Sequence, residues 1–203
     1  MNKTCPAAGG AWFGRLTKVT VTEQFSNENK VLNETEALLR SLHGVWDEDA
    51  VDDLDHGLQA ATRAIQDQAD DEMVLAAALH DLAHSPLCDS PNRERHDLAA
   101  REWLTLRYGA RVGWLAGAHV AAKRYLVATE PGYGDGLSPT SALSLAAQGG
   151  PAGDEEMVSH PWWPDALRLR HYDDAAKVPG APVVSVEDVL AVAQRVLRQN
   201  NSQ

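Results

Sequence analysis

The sequence predicts an all-α protein, a helical bundle in a single domain. Three observations predict it. From Asn29 onward, apolar residues recur at helical spacing. The breaks between those runs carry Gly, Pro and capping residues. No region is β-rich, repeated or of low complexity. A chain of 203 residues supports one core of useful size and is short for two ordinary domains.

Residues 1–28 are expected to be a poorly ordered lead, Gly/Ala-rich and then polar and β-branched, before one domain over 29–203. Val31, Leu32, Leu38, Leu39 and Leu42 give the first helix its apolar face, ending at His43-Gly44. A second helix is expected within Asp47–Asp70, with Val51, Leu54, Leu58, Ala61 and Ile65 on one stripe. Asp70, Asp71 and Glu72 crowd the start of the third, where the helix dipole favours anions. That helix, Met73–Ala83, is apolar nearly all round and should be central. Ser85–Pro91 reads as a loop. Arg93–Tyr108 reads as the fourth helix, stopped by Gly109, and Ala110–Thr129 as the fifth. Glu130–Gly136 is a loop, and Ser138-Pro139 opens a short helix to about Gln148. Pro164–Lys177 and Val186–Arg198 complete the set, the last with Ser185 and Asp188 as a capping box.

The net charge is −11, and no Lys/Arg cluster offsets it. That balance argues against nucleic-acid or anionic-membrane partners, while a few convergent cations could still hold a small anion. Two cysteines make no disulfide framework, and no run approaches membrane-spanning length. With no signal-peptide pattern at the start, a cytoplasmic protein is expected.

His80-Asp81 is the most informative dipeptide. A carboxylate in an apolar helix is unfavourable unless something neutralises it, and a metal ion does so. His56, His84, His96, His119 and Asp173 are further donors, and imidazole with carboxylate suits zinc, iron or manganese. Taken alone, His56 and His96 read as surface residues. His119, among Leu115, Ala116, Ala118, Val120 and Ala121, points into the core or into a site. Asp174 competes with its neighbour Asp173. Three spacings add to this. His84 follows His80 by four residues, Lys123 follows His119 by four, and Arg170 precedes Asp173 by three. Ser141 and Gln148, seven apart, share a helix face. Solvated surface is the competing reading for Lys123 and Arg170.

The order His56, His80-Asp81, His96, His119, Asp173 resembles that of the HD-domain superfamily. The segments Asp71–His84 and Gly117–Val127, with Gln148-Gly149-Gly150-Pro151 and Lys177-Val178-Pro179-Gly180, resemble more specifically the PhnZ type of HD-domain oxygenase. The resemblance runs from about Trp46 to the C-terminus. It implies a mixed-valence Fe(II)/Fe(III) pair that uses O2 to cleave the carbon–phosphorus bond of a 1-hydroxyphosphonate. It further implies that His56, His80, Asp81 and Asp173 hold one iron. Asp81 would bridge to a second, held by His96 and His119. No residue outside the metal site is implied as catalytic. The phosphonate pocket carries over to His84, Lys123, Ser141, Gln148 and Arg170.

The chain departs from the family where a tyrosine caps the iron site and a glutamate three residues later meets the substrate amine. Here Trp46 and Asp49 stand in those places. Tryptophan cannot ligate iron. The shorter Asp49 keeps the charge and leaves room for a bulkier ammonium, to which Trp46 could offer a cation–π contact of about 0.5–2 kcal/mol. A one-residue shift that puts Glu48 in the amine role is the plainer account. The expected substrate is 1-hydroxy-2-aminoethylphosphonate or an N-methylated derivative, giving glycine or glycine betaine and phosphate. Two other classes compete. A metal-dependent HD phosphohydrolase acting on a nucleotide or another phosphoester shares His56, His80, Asp81 and Asp173 but does not require His96, His119 and Lys123 together. A non-catalytic phosphonate sensor predicts a missing ligand, and none is missing.

Overall fold

The computed structural model describes residues 21–47, 50–88 and 95–202, with side chains from residue 26 onward. Helices account for the described architecture, with no strand among those residues. They are α1 (Val21–Ser41), α2 (Asp53–Gln66), α3 (Asp71–Leu79), α4 (His96–Tyr108), α5 (Ala110–Thr129), α6 (Pro139–Ala147), α7 (Glu155–Val158), α8 (Trp163–Asp174) and α9 (Val186–Asn200). Single 3-10 turns lie at Leu82–His84 and Gly134–Gly136. No described helix is long and apolar enough to cross a membrane.

The all-round apolar helix is the centre of the bundle, as its sequence requires. Every residue from Met73 to Leu79 is buried, and α3 packs against α2, α5, α8 and α9. Asp70 caps it by accepting the Met73 N–H at 2.9 Å. α4 and α5 form the most extensively packed pair, and α1 lies along α9. Two glycines set how closely helices approach. A Cβ on Gly57 of α2 would stand 2.6 Å from the carbonyl oxygen of Ala78, so the α2–α3 contact next to His56 needs glycine there. A Cβ on Gly113 of α5 would stand 2.6 Å from the Arg101 carbonyl oxygen of α4. The first sets the end of α3 beside His56, and the second joins α4, with His96, to α5, with His119.

Several boundaries differ from expectation. α1 begins at Val21 rather than Asn29, because the polar run Thr22–Asn29 shows no apolar stripe to read. α2 lies inside the expected Asp47–Asp70 stretch and starts at Asp53, because Asp52 is the residue that caps it. The third helix stops at Leu79 instead of running to Ala83. His80 and Asp81 therefore sit at a helix break, not mid-helix, and His84 does not share an α-helical face with His80. Ser85 precedes Pro86 and is extended (φ −53°, ψ 134°), so a helix could not have continued through it. α7 was not anticipated, and α8 ends at Asp174, short of Lys177. The Ser138 cap and the Ser185–Asp188 capping box form as expected.

Candidate metal centre

The helix break delivers His80 and Asp81 to a point where α2, α4, α5 and α8 also contribute donors. The Nε2 atoms of His56 and His80 are 3.2 Å apart. Asp81 Oδ2 lies 3.1 Å from His80 Nε2 and 3.6 Å from His56 Nε2. Asp173 completes this group, with Oδ1 3.3 Å from His56 Nε2 and Oδ2 3.7 Å from His80 Nε2. A second group sits on the other oxygen of the same aspartate. Asp81 Oδ1 lies 3.4 Å from His96 Nε2 and 3.5 Å from His119 Nε2, which are 3.0 Å from each other.

These distances fit metal ions better than hydrogen bonds. The Nδ1–H of His56 donates to the Ala176 carbonyl at 3.0 Å, that of His80 to Ala77 at 2.9 Å and that of His119 to Ala116 at 2.6 Å. A carbonyl only accepts, so each Nδ1 carries hydrogen. In the neutral rings every Nε2 then presents a lone pair. Facing lone pairs repel unless a cation lies between them. Donors about 2.1 Å from one ion stand roughly 3.0–3.4 Å apart at angles of 90–109°, which covers most of the spacings found, the rest being slightly wider. Asp81 Oδ1 is buried and has no hydrogen-bond partner among the described residues. A second ion would satisfy it by coordination instead. The carbonyl bonds from Nδ1 are the orienting interactions that metal-bound histidines ordinarily have.

The charges agree. Burial disfavours ionised Asp81, but His80, His84 and His96 hold its carboxyl well below the usual range. Burial likewise opposes the Asp173 carboxylate, and Arg170 and His80 outweigh it. Burial lowers the His80 pKa, yet Asp81 and Asp173 raise it to about 9. His119 is held well below its ordinary value, first by burial. A pocket with two carboxylates asks for positive charge, and a metal ion supplies it while displacing protons from the imidazoles.

Cations surround the metal groups. Lys123 and Arg170 are each only 3% exposed, so neither is the solvated residue that the competing reading required. His56 and His96 are buried as well. Lys123 Nζ donates to Ser144 Oγ at 2.7 Å. Burial, with Arg170 next, brings its pKa down to about 8. Arg170 Nη1 donates to Asp173 Oδ2 at 2.7 Å, Nη2 to Asp174, and Nε to the Tyr133 hydroxyl at 3.0 Å. Asp173 and Asp174 thus divide the roles that sequence left open. The first faces the imidazoles, and the second fixes Arg170 and Tyr133. His84 Nδ1 donates to Asp53 Oδ2 at 2.9 Å, and its ring centre lies 4.6 Å from that of His96. Burial opposes its charge, but Asp81 and Asp53 raise its pKa to about 9.

Ser141 is buried at the start of α6 and accepts from Lys177 Nζ at 2.8 Å. Gln148, at the C-terminal cap of α6, has its Oε1 buried with no hydrogen-bond partner among the described residues. Trp46 is on the segment joining α1 to α2 and is 63% exposed. Asp49, with the competing Glu48, lies outside the described residues. Asp53, Tyr133 and Ser144 were not singled out from sequence, and Lys177 was read only as part of the Lys177–Gly180 motif, not as a site residue. Ser144, one turn from Ser141, carried a usable spacing signal.

No protein-family model matches the chain. Two relatives do. The chain is 35% identical over 153 residues to a protein of Gimesia maris named hydroxymethylphosphonate dioxygenase, covering 70% of this chain and 75% of that one. It is 35% identical over 132 residues to a protein of Leisingera caerulea named [1-hydroxy-2-(trimethylamino)ethyl]phosphonate dioxygenase (glycine-betaine-forming), covering 61% of this chain and 67% of that one. With the helical bundle and the paired His/Asp groups, this likeness places the chain: it belongs to the PhnZ-like phosphonate dioxygenases.

Proposed function

We propose that the protein is a di-iron oxygenase that cleaves the carbon–phosphorus bond of a 1-hydroxy-2-(amino or N-methylated amino)ethylphosphonate. The observation that carries the two-metal part is the division of Asp81, with Oδ2 toward His56 and His80 and Oδ1 toward His96 and His119. His56, His80, Asp81 and Asp173 would hold one iron, and Asp81, His96 and His119 the other. An Fe(II)/Fe(III) pair in these places supplies the redox chemistry with O2.

The balance is R–CH(OH)–PO3²⁻ + O2 → R–COO⁻ + HPO4²⁻ + H⁺. The C–P and C1–H bonds break, C1 loses four electrons, and O2 accepts them. The protein's own residues bind and orient. Lys123, Arg170 and His84 surround the phosphonate with positive charge, and the Ser141 hydroxyl and Gln148 amide add neutral contacts. Arg170 uses three of its five N–H groups on Asp173, Asp174 and Tyr133, which leaves one on each of Nη1 and Nη2 for phosphonate oxygens. Burial of Lys123 and Arg170 makes each contact stronger than it would be in water. Asp49 and Trp46 would meet the amine end. The exposed Trp46 ring leaves a face for a methylated ammonium.

The test is phosphate release by Fe(II)-reconstituted protein from 1-hydroxy-2-aminoethylphosphonate and its trimethylammonio analogue, under air and under argon. Phosphate in air alone, with glycine or glycine betaine beside it, is the expected outcome. Phosphate from a phosphoester under argon would mark a hydrolase instead.

A further inference from the structure

α2 opens with two successive acids that have different partners. Asp52 is the cap: Oδ1 accepts the Asp55 N–H at 2.9 Å and Oδ2 accepts the Gly44 N–H at 2.8 Å. The helix start is thereby satisfied, and Asp53 is not needed for it. Asp53 is nevertheless 3% exposed. Its Oδ2 accepts the His84 Nδ1–H at 2.9 Å, its Oδ1 accepts the Asp47 N–H at 3.3 Å, and its own N–H donates to the Val45 carbonyl at 2.8 Å. One side chain therefore ties together the Val45–Asp47 segment that carries Trp46, the turn that carries His84, and the helix that carries His56 three residues later.

A buried Asp–His pair kept only for stability can be exchanged for packed apolar residues at little loss. This pair does something apolar residues could not. With Nδ1 held by Asp53, the imidazole plane of His84 is set, and Nε2 is the ring's other polar atom, on a ring beside His96. The Asp47 bond holds the neighbouring Trp46 segment to the same carboxylate.

We infer that Asp53 is a positioning residue for substrate selection: it orients His84 toward the phosphonate end and anchors the Trp46 segment toward the other end, so that both ends are read from one support. The inference rests on the phosphonate reading above.

The variants are Asp53→Asn, which keeps the shape and an acceptor for Asp47, and Asp53→Leu, which removes both bonds. Each is compared with the wild type, all iron-loaded, on hydroxymethylphosphonate and on 1-hydroxy-2-(trimethylamino)ethylphosphonate. Inorganic phosphate binding is measured by calorimetry under argon. Asp53→Asn should raise KM for both phosphonates about tenfold, weaken phosphate binding by a similar factor, and leave kcat within about threefold. Asp53→Leu should in addition shift the kcat/KM ratio between the two phosphonates by about tenfold. A lowered melting temperature with unchanged KM, phosphate affinity and substrate ratio would overturn the inference and leave Asp53 a packing residue. Phosphonate turnover by wild type together with that result would spare the functional reading. Wild-type protein that neither turns over a phosphonate nor binds phosphate would overturn both.

Discussion

The two donor groups that share Asp81 differ in how complete they are. The first has four protein residues around it, drawn from α2, the break after α3, and α8, and its two histidine Nδ1 atoms are bonded to carbonyls. The second has three, Asp81, His96 and His119. His84, 4.6 Å from His96, and Lys123, one helical turn from His119, lie beside the second, while Arg170 bonds Asp173 of the first. The difference teaches a division of labour. In the di-iron reading, the first group would hold its ion with four protein residues, and the second would leave positions for substrate and O2.

The largest expected effect comes from breaking the link between the groups. Asp81→Asn offers one carbonyl oxygen where two carboxylate oxygens now serve, and activity should fall at least about a thousandfold, with iron content reduced in the purified protein. Retention of wild-type turnover would remove Asp81 from the account.

A smaller effect sharpens the contrast on the substrate side. Lys123→Met should raise KM for a phosphonate about 10–100-fold and leave iron content unchanged. The pH dependence has a definite sign. With a pKa of about 8, Lys123 carries its charge below that pH and loses it above. KM for wild type should therefore rise as pH passes upward through about 8, and the Lys123→Met profile should be flatter there. A parallel rise in the variant would assign the titration to another group.

The smallest effect concerns the amine end. Trp46→Leu should alter the preference between primary amine and trimethylammonium substrates by about 2–30-fold, the range of one cation–π contact, without affecting phosphate affinity. An unchanged preference would place recognition of the ammonium elsewhere.

Much of this arrangement was legible in the sequence because local chemistry reports it. The Ser138 cap, the Ser185–Asp188 box and the full burial of Met73–Leu79 follow from residue type and spacing. The order of His and Asp residues carried the donor set. The break at His80-Asp81 was hidden, because an unbroken apolar run looks the same whether it continues as helix or ends one residue before a donor. The contacts of Asp53 with His84, 31 residues away, and of Lys177 with Ser141, 36 away, were equally hidden. Periodicity reports which face of one helix is apolar, not which polar groups of two elements meet.

The measurement that reaches the central claim most directly is the iron stoichiometry of anaerobically loaded wild type beside His119→Ala. The account predicts about two iron equivalents per chain in the wild type and about one in the variant, whose first group is intact. About one equivalent in both proteins would contradict a paired centre bridged by Asp81.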